Sequence, residues 1–188
     1  VSPEFIGLGN ILGIAFGARG VPGAAAHYEP SQTVINLTKN GGAGSLAHEF
    51  GHALDHILGE SIKENSKMLT SAVGSYLTDQ ANLKTIKTQS PLGKELISIV
   101  AELLNSFKSQ SINEFGINVN TKFYQDSVHF DKAKSKSYYS TNKEMFARAF
   151  ETYIYQKLND IKEPCHYLVS GILNEDNLLE NEKYEYPI

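Results

Sequence analysis

The chain lacks most of the features that would assign it to a class at once. It has a single cysteine, Cys165, in 188 residues, which excludes an internal disulfide framework and a C-x-x-C zinc site. That scarcity fits a reducing compartment. No apolar run approaches the roughly 18 residues needed to span a bilayer, so no membrane partner is expected. A basic stretch followed by an apolar core is also missing, and with it the pattern of a signal peptide. Positive charge is in deficit, with 17 Lys and Arg against 21 Asp and Glu and a net charge of −4. That balance argues against a phosphate-binding surface, and no nucleic-acid partner is expected. The pair Gly7-Leu8-Gly9 is followed by no strand–loop–helix context and no P-loop lysine, so phosphate binding is discarded there too. The first residue is valine, and a piece of a longer protein or a processed product is expected.

What is present centres on Ala47-His48-Glu49-Phe50-Gly51-His52-Ala53-Leu54-Asp55, which contains H-E-x-x-H. Two histidines four residues apart on a helix differ by about 400° and roughly 6 Å of rise, so both point the same way and can share one ion. Glu49 is turned toward the space beside that ion, where it can take a proton from a water held there. Leu46, Phe50, Ala53, Leu54 and Ile57 fall at helical spacing, Ser45 is available as an N-cap, and Gly59 is the expected stop.

A zinc ion needs a third protein ligand. The long metzincin pattern would need glycine at position 55 and histidine at position 58, where this chain has Asp55 and Leu58. His56 lies about 12 Å along the axis from His48, too far for one ion, and is expected at the surface or behind a ligand. Asp55 follows His52 on the same face and can accept a hydrogen bond from its ring. The stretch from Asn142 to Ile154 reads as a second helix, with Phe146, Phe150, Tyr153 and Ile154 on one face and Glu144, Arg148 and Glu151 on another. A carboxylate early in that helix would complete a two-histidine, one-carboxylate site with an open fourth position, the arrangement of catalytic zinc.

Taken together, H-E-F-G-H-A-L-D and the later E-M-F-A-R-A-F-E resemble a gluzincin. They are most similar to the zincin-like metallopeptidase domain of large polyvalent proteins of phages and conjugative elements. The stretches Ala24–Pro30, Val34–Thr38 and Tyr167–Val169 also look like that family. The two helices are similar to those of the anthrax lethal factor protease domain, where an E-F-F-A-E-A-F run carries the third ligand. The resemblance implies one catalytic Zn²⁺ on His48, His52 and Glu144, with Glu49 as general base. Arg148 stands where the toxin has an acid, which leaves Glu151 as the partner behind a ligand. It also implies a tyrosine just before the second helix, Tyr138 or Tyr139, able to stabilise an oxyanion or protonate a leaving amine. A strand at the lip of the cleft is implied as well, and Thr33–Thr38, which alternates and is β-branched, is the best candidate.

The expected architecture is a single α+β domain over 1–188, with a small sheet, the H-E-x-x-H helix and a second helix bearing the glutamate. Residues 7 to 26 are expected to be irregular, 66 to 77 and 123 to 133 short helices, and 109 to 122 a polar connection. A helix opening at Pro91 buries Leu96, Val100, Leu103, Leu104 and Phe107. His27 and His129 are expected to be structural or solvated, and residues 175 to 185 a partly solvated acidic tail. The expected activity is a zinc metalloendopeptidase acting on a protein or peptide, in the cytoplasm or delivered into a target cell within a larger protein. A non-catalytic zinc-containing interaction module, hydrolysis of another amide or isopeptide bond, and an autoprocessing protease are the alternatives.

Overall fold

A computed structural model describes residues 3–17, 24–62, 68–78, 90–112 and 118–170. It is a mixed α+β structure whose backbone contacts gather in two compact units. The first is built from the residues up to Leu54 together with those from Ala147 onward, the second from Asp55–Phe146. The division passes through two long helices, so each contributes to both units.

The first unit holds a one-turn helix α1 (Pro3–Ile6), three strands β1 (Gly13–Phe16), β2 (Ala26–Glu29) and β3 (Val34–Leu37), the start of α2 (Leu46–Ser61) and most of α6 (Asn142–Asp160). Val34-Ile35-Asn36-Leu37 forms a strand for the reason its sequence suggests: β-branched residues pack well on a pleated surface. Its place in the sheet differs from expectation. The order is β1-β3-β2, with β1 parallel and β2 antiparallel to β3. β3 is therefore central, its backbone groups are committed on both sides, and it offers no edge for an added peptide. Local pattern shows that a segment is a strand but not which neighbours it acquires. Residues 13–16, inside the stretch expected to be irregular, and 26–29, which start where that stretch ends, supply those neighbours.

Between β3 and α2 the chain turns through glycines. Gly44 has φ +87, which an L-residue with a side chain rarely adopts. Its N–H donates to the Tyr167 carbonyl at 2.9 Å, and the Ser170 N–H donates back to the Gly44 carbonyl at 3.2 Å. One turn on, the Ala47 N–H donates to the Leu168 carbonyl at 3.0 Å, satisfying an amide that a helix start leaves without an intrahelical acceptor. Ala47 and Val169 are buried against Ile154, Tyr155 and Leu168, so the Tyr167–Val169 segment clasps the first turn of α2. That helix continues through Gly59 to Ser61 rather than stopping at the glycine.

The second unit contains α3 (Leu69–Thr78), α4 (Pro91–Lys108), β4 (Ser109–Ile112), β5 (Asn118–Asn120) and α5 (Lys122–Asp131). Ser90 caps α4, its side chain accepting from the Gly93 N–H at 3.5 Å, and Pro91 occupies the first turn, where its missing N–H costs nothing. The core joins Ile62, Leu69, Val73, Ile97, Val100 and Leu104. At about 25 cal/mol per Å² of apolar surface removed from water, such clusters are the main stabilising term. The stretch expected to be a plain connection contains the antiparallel β4–β5 pair. Thr121 then caps α5, accepting from the Tyr124 N–H at 3.1 Å. The stretch 175 to 185, expected to be an acidic tail, lies outside the described residues.

Candidate metal centre

The site begins with the helical repeat of α2. His48 and His52 stand one turn apart, their ring centroids 4.9 Å from each other and their planes at 81°. Gly51, between them, lies close against α6. A β-carbon built there would stand 3.0 Å from the Cα of Ala147. Phe50 and Phe150 stack beside this contact at 5.8 Å. The aromatic pair and the missing side chain together allow α6 to lie against the histidine-bearing turn.

α6 buries its polar face more completely than the face its apolar residues mark, where Phe146, Phe150 and Ile154 are only partly buried. Tyr153 is 53% exposed, while Glu144, Arg148 and Glu151 are 3%, 2% and 2% exposed, alongside Met145 and Ala147. Acids and arginines are almost never fully buried unless they are paired. Arg148 stands at i+4 from Glu144 and i−3 from Glu151, within reach of both on one helical face. The Glu151 Oε2 lies 3.4 Å from Nδ1 of His48. A carboxylate on Nδ1 fixes the tautomer and leaves the Nε2 lone pair outward, the relation usual behind a metal-bound imidazole.

One ligand atom from each of His48, His52 and Glu144 lies within 4.8 Å of the other two. Two donors each about 2.1 Å from one ion are at most about 4.2 Å apart. The set therefore fits a single ion after closing by at most about 0.6 Å, less than a change of side-chain rotamer. The charge also fits. Glu49, at 7% exposure, joins Glu144 and Glu151 as a third buried carboxylate against one buried guanidinium. Asp55 is a fourth, so the buried acids outnumber the guanidinium, an excess that a divalent cation would offset.

Asp55 is 1% exposed. Its Oδ1 accepts the backbone N–H of Thr70 at 2.8 Å and its Oδ2 the Thr70 hydroxyl at 2.6 Å, a buried partner on α3. His56, expected at the surface or behind a ligand, is buried at 2%. Its Nε2 lies 3.7 Å from a Glu60 carboxylate oxygen one turn along α2. The helical stripe running through Ala53 and Ile57 brings it inward with them.

Tyr138 and Tyr139 sit in the turn that leads into α6. Both backbone N–H groups donate to Asp131 Oδ1 at 2.8 Å, and the Ser140 N–H and hydroxyl donate to Oδ2 at 2.9 and 2.6 Å. Desolvation raises the Asp131 pKa, but these four bonds to the charged form outweigh it and hold the carboxyl below its ordinary 3.8. The tyrosine rings meet edge to face at 5.1 Å under the Lys134 ammonium, which stands 4.9 and 4.8 Å from their centroids. Tyr138 is 43% exposed. Asp131, Thr70 and Asn142 escape a reading of the sequence because their roles depend on partners 7 to 72 residues away. His129 is exposed and lines a groove of about 570 Å³ with Asn120, Tyr124, Val128 and Lys132. None of the candidate ligands borders that groove.

A family model described as large polyvalent protein-associated domain 1 matches residues 130–188. The match takes in Tyr138, Tyr139, Glu144, Arg148 and Glu151 and stops short of His48–His52. Searches of curated proteins and of solved structures give no match. The matched stretch thus associates the chain with large polyvalent proteins, over less than a third of its length.

Proposed function

We propose that this chain is a zinc-dependent metalloendopeptidase of the gluzincin kind, with a zincin-like fold and a place within a polyvalent protein of a phage or other mobile element. The observation that carries the reading is the convergence of His48 and His52 with Glu144, a residue far along the chain, to within 4.8 Å. Three protein donors of the types N, N and O, with Glu49 beside them, form the donor set of catalytic rather than structural zinc. When bound, the ion supplies a positive centre that lowers the pKa of water and polarises a carbonyl.

In this reading His48, His52 and Glu144 hold the ion, and Glu151 orients His48 through Nδ1. Glu49 removes one proton from a water as the water oxygen attacks the peptide carbonyl carbon. The C–N bond then breaks, and the same carboxyl returns the proton to the departing nitrogen, so that one water is consumed and an acid and an amine are released. The Tyr138–Ser140 turn, held by Asp131, brings two phenols to the approach to α6. One of them is proposed as the donor to the developing oxyanion. The substrate is a protein or peptide, and the compartment is the cytoplasm or a target cell reached within a larger protein. No helix among the described residues is long and apolar enough to cross a membrane.

Elemental analysis of the purified protein tests the centre. About one zinc per chain is expected for the natural sequence, with loss in Glu144→Ala. Glu49→Gln should keep its zinc while losing hydrolysis of a peptide library by two or more orders of magnitude. Full activity in Glu49→Gln, or zinc retained after removal of Glu144, overturns the assignment.

A further inference from the structure

Three polar residues connect the helices that carry the candidate ligands. Asp55 lies on α2 three residues past His52, and both its oxygens engage Thr70, at 2.8 Å to the N–H and 2.6 Å to the hydroxyl. Thr70 is the second residue of α3 and is 1% exposed. Its carbonyl accepts from Asn142 Nδ2 at 3.4 Å. Asn142 is the first residue of α6, two before Glu144. One turn along α3 from Thr70 lies Gly74, where a β-carbon would collide with the Asn142 amide. The space that Asn142 occupies is thus kept open by a glycine.

We propose that Asp55, Thr70 and Asn142 act as a strut that ties the first turn of α6, and with it Glu144, to the part of α2 that follows His52, with Thr70 and Asn142 as positioning residues for Glu144. The inference rests on the zinc reading above. The chemistry suits the task. An apolar contact between helices survives small slides and rotamer changes. A carboxylate that takes both donors of one residue fixes direction as well as distance, and charge-assisted bonds of this kind are about twice as strong as neutral ones. The negative Asp55 also meets α3 at its N-terminus, where unsatisfied N–H groups and the helix dipole favour an anion. Metal geometry tolerates errors of only about 0.5 Å. The trio of His48, His52 and Glu144, spread over as much as 4.8 Å, has little slack.

The test is zinc affinity, measured by competition with a chromophoric chelator, together with the visible spectrum of the cobalt-loaded protein. Thr70→Val removes the hydroxyl and keeps the shape. Asn142→Asp removes the donor to Thr70 while placing an acid where the α6 dipole favours one. Thr70→Ser keeps every bond in the strut. Zinc binding should weaken about 10- to 100-fold in Thr70→Val and Asn142→Asp, with displaced cobalt bands, and stay near the natural value in Thr70→Ser. Natural affinity and spectra in both disabled variants overturn the strut while leaving the zinc site standing. Failure of the natural protein to take up zinc or cobalt overturns the zinc reading itself. Should Thr70→Val not fold, Asn142→Asp decides alone.

Discussion

Gly51→Ala sets two effects of opposite sign against each other at a close approach of α2 and α6. Alanine in a helix interior is favoured over glycine by about 1 kcal/mol, and if local propensity ruled, the variant would be more stable. The new β-carbon, however, would stand 3.0 Å from the Ala147 Cα and 3.4 Å from both the Ala147 carbonyl oxygen and the Phe150 Cβ. Carbon atoms in contact prefer about 3.5–4.0 Å, so the backbones must part by about 0.5 Å or more. No rotamer change relieves a contact with a Cα. Overpacking of this kind costs about 1–3 kcal/mol, leaving a net loss of about 1 kcal/mol. The displacement also moves His48 and His52 from α6, and the ligand spread of up to 4.8 Å must already close to about 4.2 Å to hold one ion. Zinc affinity should therefore fall by about tenfold or more, a larger effect than the loss of stability alone suggests. Urea unfolding of the chelator-treated protein and zinc titration measure the two quantities separately. A variant that is about 1 kcal/mol more stable and binds zinc as before would refute the argument.

Glu151→Gln removes the charge that faces Nδ1 of His48 at 3.4 Å, and zinc affinity should drop about 10- to 100-fold with the ion still able to bind; unchanged affinity would separate Glu151 from the site. Saturating zinc at about 1,000 times its dissociation constant should add about 4 kcal/mol to stability, a rise in Tm of about 8–16 °C for a chain of this size, and an equal Tm with zinc and with chelator would count against a specific centre. Asp131 has a depressed pKa in the folded protein, so its stabilising contribution is present above its ordinary 3.8 and is lost as pH falls through the lower folded value. Asp131→Asn should lower stability at neutral pH and flatten the acid limb of the stability profile below about pH 4; an acid limb identical to that of the natural protein would show that the Tyr138–Ser140 turn does not depend on the carboxylate.

The parts of the fold that the sequence made legible are those with many repeats of one period. α2, α4 and α6 each carry several turns of evidence, and α4 buries Val100 and Leu104 as its stripe suggests, adding Ile97. Four-residue strands carry at most two alternations. β1 is Gly-Ile-Ala-Phe, and β4 is Ser-Gln-Ser-Ile, neither of which has enough branched residues to stand out from a loop. Strand order lies beyond any local pattern, which is why β3 was expected at an edge and lies in the middle. At the site, His48, Glu49 and His52 follow from spacing on one helix. The partners of Asp55 and of the Tyr138–Ser140 turn do not, because hydrogen bonds formed across 15 and 7 residues leave no periodic trace.

The inverted burial of α6 bears on whether the ion would be structural or catalytic. Each ion taken from water costs several kcal/mol even after the protein relaxes, and α6 buries Glu144, Arg148 and Glu151 while leaving Tyr153 half exposed. A structural site has a cheaper solution: four thiolates or imidazoles around one ion, closed to water, with no further carboxylate nearby. Here the cluster has three donors, and Glu49 is buried on the same turn of α2 without belonging to it. A carboxylate in that place adds negative charge to a site already rich in it, and stability alone gives no reason to keep it. The proposed proton transfer would. In the same proposal Arg148, buried on the same helix about one turn from each of Glu144 and Glu151, would offset part of their charge and leave one carboxylate to serve the ion and the other His48.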